Sequence, residues 1–185
     1  MKSNNIRDSP PPLRDYQQAD LAKMQNYEGR AALMVLATGL GKTRIYTEYI
    51  RWDVLNNNHN CLILSHREEL VYQPLTYLQD LPCGVELAEK HAHGEPVISA
   101  SVQSLVGRLD KYNPYEIDTI IVDEAHHAAA PTYRRVLEYF PSAQIFGFTG
   151  TAHRGDGVGL SCVFDDILTE RDTLWGIDNG YLLPM

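Results

Sequence analysis

The sequence predicts an α/β domain whose mostly parallel β-sheet is sandwiched by α-helices. Strand-like apolar runs alternate with helix-like segments from about residue 31 onward, the rhythm of βαβ units rather than of a sandwich or a bundle. The first of these runs is short, continuous and closed by glycines, as a buried parallel strand feeding a tight turn should be. With 185 residues, 44% of them hydrophobic, the chain falls in the range of one compact domain and can bury a core without metal or disulfide help.

The elements follow in order. Ala31-Ala32-Leu33-Met34-Val35-Leu36 reads as the first strand, leading to Gly39 and Gly41. Ile45, Tyr46, Tyr49, Ile50 and Val54 then recur at helical spacing until Asn56-Asn57-Asn58. Cys61-Leu62-Ile63-Leu64 is the second strand, and Ser65 and Glu68 after it have the spacing of a capping box at a helix start. Pro74 should kink or shorten that helix, because an interior proline removes a backbone donor. A weaker strand at Val97-Ile98-Ser99-Ala100 precedes a helix through Gln103, Leu105 and Val106. Ile117 to Val122 is the strongest strand, Pro131 opens a helix through Val136 and Phe140, and Ile145 to Phe148 supplies a further strand. Residues 1–12, with Pro10-Pro11-Pro12, read as a flexible tail, and residues 13–185 as one domain.

Charge and composition narrow the function classes. A net charge of -8 argues against a protein whose main task is gripping a phosphate backbone, so any nucleic acid is held locally or by other parts. Cys61, Cys83 and Cys162 are far apart and show no metal or disulfide spacing, so they read as reduced cytoplasmic thiols. His91/His93 and His126/His127 lack the i, i+4 spacing of a helical zinc site, and a solvated loop is the better reading of the first pair. The N-terminus lacks the apolar core of a secretory signal, and no stretch approaches a membrane span. A soluble cytoplasmic protein without a membrane partner is expected.

Ala37-Thr38-Gly39-Leu40-Gly41-Lys42-Thr43 follows the first strand and opens a helix, which is the context of a phosphate-binding loop. Glycines let backbone N–H groups turn inward around phosphate oxygens, and the helix N-terminus adds about half a positive charge. Lys42 would reach the terminal phosphates of ATP and the Thr43 hydroxyl would hold Mg²⁺. Leu36 stands where the usual pattern begins with glycine, so the match rests on Gly39, Gly41, Lys42 and Thr43. About 80 residues on, Asp123-Glu124-Ala125-His126 follows the strongest strand, at the tip where α/β sheets bind ligands. Asp123 suits the Mg²⁺ shell, and Glu124 can orient and deprotonate an attacking water. His126 suits a contact with another segment better than it suits the metal.

With both motifs in place the chain resembles the superfamily 2 helicases, in the DEAH-box branch of excision-repair and restriction-type motors, over roughly residues 12 to 185. The resemblance implies a RecA-like P-loop NTPase domain. In Leu13-Arg14-Asp15-Tyr16-Gln17 it implies an adenine-recognising segment, with Gln17 reading the base edge and Arg14 beside it. Leu64 to Leu70 resembles motif Ia and Ala100 to Leu105 motif Ib, which implies backbone contacts to one strand through Arg67, Ser101 and Gln103. Thr149-Gly150-Thr151-Ala152-His153-Arg154-Gly155-Asp156-Gly157 resembles motif III. There Gly150 replaces the usual alanine and Ala152 the usual proline, so a less rigid loop is expected, with the Thr149 and Thr151 hydroxyls available to His126.

The resemblance also implies a second RecA-like domain that completes catalysis. No second set of strands is expected after Asp165, and Tyr181-Leu182-Leu183-Pro184 looks like the hinge entry to that domain. The leading expectation is therefore an ATP-driven motor on nucleic acid, with DNA ahead of RNA as the track. The competing expectation is a nucleotide-binding or interaction module with no helicase activity by itself.

Overall fold

The computed structural model describes residues 11–150 and 159–184. Seven strands form one sheet in the order β3-β4-β2-β5-β6-β1-β7, and every pairing is parallel. The strands are β1 (Ala31–Leu36), β2 (Cys61–Ser65), β3 (Cys83–Glu86), β4 (Val97–Ser101), β5 (Thr119–Asp123), β6 (Gln144–Thr149) and β7 (Asp166–Arg171). The helices are α1 (Asp15–Gln25), α2 (Lys42–Asn57), α3 (Glu68–Tyr72), α4 (Val102–Val106), α5 (Pro131–Tyr139) and α6 (Thr173–Asp178).

Side chains alternate across the sheet and feed two separate cores. From β1, Ala31, Leu33 and Val35 join Val102, Leu105, Tyr133 and Val136 on the face covered by α4 and α5. Ala32, Met34 and Leu36 join Tyr16, Met24, Ile45, Tyr46 and Tyr49 on the face covered by α1 and α2. That two-sided burial is why β1, β2 and β5 read as continuous apolar runs. Each fully buried aliphatic or aromatic side chain contributes about 1.5–3 kcal/mol, so the sandwich is held mainly by these two layers.

The expected elements are present, with two points at which the structure adds to or corrects the expectation. Ser65 does not cap a helix: it is the last residue of β2, paired in register with Ser101, and α3 begins after Arg67 without a side-chain cap. Continuing the sheet ladder kept Ser65 in the strand, and its buried hydroxyl has no partner among the described residues. A strand does follow Asp165, but β7 completes the same sheet beside β1 and begins no second one. Arg171 and Thr169 tie β7 to α1 through the buried Asp20, with hydrogen bonds of 2.7 to 3.1 Å. The helix before Pro74 stops at Tyr72, as the proline requires, and a single 3-10 turn follows.

Candidate functional site

The chain leaves β1 at Leu36 and enters α2 at Lys42 through a loop that only glycine-rich sequence can make. Gly39 and Gly41 have φ values of +90° and +77°, where L side chains are strained. A Cβ on Gly41 would also lie 2.5 Å from Gln17 Nε2. Leu40, fully buried, pins the loop into the core. Lys42 Nζ donates a hydrogen bond of 3.2 Å to the carbonyl oxygen of Leu36, so the ammonium lies folded over the loop at the strand end. Thr38 and Gly39 are exposed at the tip of the loop.

Gln17 lies directly beneath this loop and is buried. Its Oε1 accepts from the Arg14 backbone N–H at 2.9 Å, and its Nε2 donates to the Leu40 carbonyl at 3.1 Å. The Tyr16 hydroxyl donates to the same Leu40 oxygen at 2.6 Å. Gln17 thus fastens α1 to the phosphate loop, with one amide N–H left over for another partner. The Arg14 guanidinium lies over the Tyr181 ring, 5.5 Å from its centroid. Tyr181 stacks in turn on Trp175 and packs against Tyr16, with centroids 5.6 and 4.6 Å apart. This aromatic wall was not legible in the sequence: Trp175 sits in no motif, and Tyr181 was read only as part of a hinge entry.

β5 ends one strand away from β1, with β6 between them, and delivers Asp123 and Glu124 to the same rim. Asp123 is 5% exposed. Its Oδ1 accepts from the Glu124 backbone N–H at 3.0 Å and its Oδ2 from the Tyr46 hydroxyl at 3.3 Å. Burial, then the neighbouring Glu124 charge, push the Asp123 carboxyl above its ordinary range, while Lys42 pulls the other way. Glu124 has φ +53°, a left-handed value that costs a non-glycine residue energy and that collects at functional sites. The turn leaves its side chain 38% exposed, with Oε2 3.3 Å from His126 Nδ1.

Two tyrosines lie against this pair; Tyr46 was read in the sequence only for its helical spacing, and Tyr133 was not singled out. Tyr46, one helical turn past Thr43, is buried and its hydroxyl donates to Asp123 Oδ2 at 3.3 Å. Tyr133 of α5 is buried with no hydrogen-bond partner for its hydroxyl among the described residues; burial and then the charges of Asp123 and Glu124 hold its phenol well above the usual range. The Thr43 hydroxyl in the first turn of α2 and the Asp123 carboxylate at the end of β5 are hard oxygen donors of the kind Mg²⁺ takes beside phosphate. Among the described residues no cluster of three His, Cys, Asp or Glu suggests a further metal site.

The remaining expected residues divide. Arg67 is exposed at the start of α3, and Gln103 is exposed on α4. Ser101 is buried and donates to Gln103 Oε1 at 2.8 Å. All three lie on the rim of β2 and β4, away from the phosphate loop. Thr149 is buried at the end of β6, and a Cβ on Gly150 would lie 3.6 Å from Lys42 Nζ, so this strand end borders the phosphate loop. Thr151 and the rest of the motif III match lie outside the described residues. No helix among the described residues is long and apolar enough to cross a membrane.

Known proteins share this architecture and sequence. Residues 11–154 match the family described as "Type III restriction enzyme, res subunit". A Schizosaccharomyces pombe protein named as a mitochondrial ATP-dependent helicase, irc3, is 37% identical over 188 residues, covering 92% of this chain and 31% of its own. A Saccharomyces cerevisiae protein named as the ATP-dependent helicase IRC3 is 37% identical over 195 residues, covering 94% of this chain and 28% of its own. The chain therefore spans less than a third of the length of these curated relatives. The crystal structure of the Pyrococcus furiosus Hef helicase domain superposes with a TM-score of 0.70 at 23% identity, over 84% of this chain and 37% of that one, a likeness of fold. With most of its length matched by the family and carried by these relatives, the chain belongs to the restriction-enzyme res-subunit family of superfamily 2 helicases and has its RecA-like P-loop fold.

Proposed function

We propose that this chain is the ATP-binding motor domain of a nucleic-acid helicase or translocase, in which Mg-ATP hydrolysis drives movement along DNA once a second RecA-like domain closes over the site. The observation that carries the reading is that Lys42 and Thr43, at the start of α2 after β1, and Asp123 and Glu124, at the end of β5, lie on one rim of the sheet, with the Tyr46 hydroxyl of α2 donating to Asp123 at 3.3 Å. The DNA track is in keeping with the restriction-enzyme description of the family, and the second domain with relatives about three times as long. The three cysteines are free, as a reducing compartment such as the cytoplasm keeps them.

The residues divide the reaction as follows. Backbone N–H groups of Gly39, Gly41 and Lys42 would surround the phosphate oxygens, the Leu40 N–H being donated to the Ala37 carbonyl, with the helix N-terminus of α2 behind them. Lys42 leaves the Leu36 carbonyl for the terminal phosphates and offsets the charge that develops there. Thr43 and Asp123 would hold Mg²⁺, which neutralises the phosphate oxygens when bound. Glu124 orients a water and takes its proton as the water oxygen attacks the terminal phosphorus and the bond to the leaving ADP oxygen breaks. Arg14 and the free amide edge of Gln17 lie on the side where the adenine would rest, and His126 with Thr149 and Thr151 would carry the state of the site to neighbouring segments. Arg67, Ser101 and Gln103 would meet the sugar-phosphate backbone of the strand.

In the full-length protein, Glu124→Gln keeps the volume and a hydrogen-bonding group but removes the base. ATP turnover should fall by about 10²–10⁴ while nucleotide affinity stays within about twofold. Turnover at the wild-type rate would sink the assignment.

A further inference from the structure

The two nearest pieces of the proposed ATP and strand sites are joined by a row of imidazoles, of which only His126 has a part in the function proposed above. His126, whose Nδ1 is 3.3 Å from Glu124 Oε2, packs against His127 with ring centroids 4.1 Å apart. His127 stacks on His66, the residue before Arg67, at 4.3 Å and an interplanar angle of 24°. His66 Nδ1 is 3.2 Å from Gln103 Nε2, and Gln103 Oε1 accepts from Ser101 at 2.8 Å. From Glu124 to Ser101 there is no gap in this path.

The path crosses between the turns that leave two neighbouring strands, β5 and β2. His126 and His127 lie on the 3-10 turn Ala125–His127 after Glu124, whereas His66 lies on the connection from β2 to α3. Both turns are set to move. Glu124 holds a strained left-handed backbone, and at the root of the other turn the buried Ser65 hydroxyl has no partner among the described residues. A shift of the β2–α3 turn that satisfied Ser65 would be favourable, and it would carry the His66 ring with it. Face-to-face rings transmit such a shift because they cannot interpenetrate and lose contact when tilted apart.

Resting on the motor reading above, we infer that the His66–His127 stack is the coupling element by which a strand bound at Arg67 and Gln103 sets the position of Glu124. His127 is thus a positioning residue: it touches neither nucleotide nor strand, and acts through His126 on the base. Coupling of this kind is an energy shared between two sites, so breaking it should remove the strand's effect on turnover and leave each site's own affinity in place.

The test uses the full-length protein and measures ATP turnover with and without saturating single-stranded DNA, together with DNA affinity. His127→Ala should lower the DNA-stimulated kcat by about tenfold while basal kcat, the KM for ATP and DNA affinity stay within about twofold. His66→Ala should lose stimulation to the same degree, and the double variant should lose no more than either alone, the mark of one shared interaction. His127→Phe keeps a ring in the stack and should restore most of the stimulation, which separates coupling from a loss of folding. Full stimulation in His127→Ala overturns the inference. So does a parallel fall of basal and stimulated rates, which would make His127 part of the shape of the base, and so does additivity in the double variant. A wild-type protein that no nucleic acid stimulates would instead overturn the motor reading on which the inference rests.

Discussion

At the carboxyl ends of β1 and β5 the polar groups are fixed in advance, whereas at those of β2 and β4 they stand in solvent. On the first rim Lys42 is bonded to Leu36, Gln17 is buried beneath the loop, and Asp123 is held by Tyr46 and by a backbone N–H. On the second, Arg67, just ahead of α3, and Gln103, on α4, are exposed, and each of those helices has only five residues. The difference follows from what each rim meets. Phosphate chemistry needs dipoles and charges that do not reorganise during the reaction. A sugar-phosphate backbone that slides past needs contacts that form and release cheaply, and exposed long side chains supply them.

Substitutions can break that comparison at graded points. Glu124→Gln should give the largest effect, because it removes a group the reaction uses rather than one that positions another. Tyr46→Phe should come next: losing its hydrogen bond to Asp123 should cost about 0.5–1.5 kcal/mol, roughly two- to tenfold in Mg-ATP affinity. Titration of ATP with and without Mg²⁺ checks it, since affinity in the absence of the metal should not change. An equal loss in both titrations would mean that Tyr46 only packs the core.

Asp123→Asn should act in opposite directions on stability and function. Burial and the Glu124 charge raise the folded-state pKa of Asp123 above its unfolded value, so the native state holds that proton more tightly than the unfolded chain does. Stability from this group is fully present below the unfolded pKa and is lost as pH rises through the folded one. At neutral pH, without nucleotide or metal, Asp123→Asn should therefore melt about 2–4 °C higher, the shift that about 1 kcal/mol gives in a domain of this size. The gain should vanish in acid, and Mg-ATP should no longer add its share of stability. A variant that melts lower at every pH would show that the carboxylate serves the fold rather than the metal.

The smallest effect belongs to the exposed rim. Arg67→Ala in the full-length protein should weaken single-stranded nucleic acid binding evenly across sequences and lower the salt slope by about 0.7, the share of one phosphate contact. An unchanged slope, read from binding at several salt concentrations, would remove Arg67 from the strand path.

What could be read from the chain was whatever is local. The phosphate loop needs Gly39, Gly41, Lys42 and Thr43 within a few positions, and Asp123-Glu124 announces itself by following an apolar run, so both motifs were legible. The strands buried on both faces were legible for the same reason. β7 was not, because it is an edge strand whose only fully buried residue is Thr169, so its sequence Asp166–Arg171 lacks an apolar run. β3 was missed as a four-residue strand containing Gly84. Ser65 misled because capping spacing is a local preference and the register with Ser101 overrode it. Tyr46 looked like core and is core, yet its hydroxyl donates to Asp123, 77 positions away, a relation that only the folded sheet creates. Gln17 was expected at the adenine, and the structure shows that most of its amide is engaged in joining α1 to the phosphate loop.

The central claim is that residues 37–43 and Asp123-Glu124 form one Mg-ATP site, and calorimetric titration of Mg-ATP into wild type and Lys42→Ala tests it most directly. Losing the charged contact of Lys42 should cost about 1.5–3 kcal/mol, roughly tenfold to more than a hundredfold in affinity, with the melting temperature of the nucleotide-free protein unchanged. Equal binding by the two proteins, or no binding by wild type even at millimolar nucleotide, would contradict it.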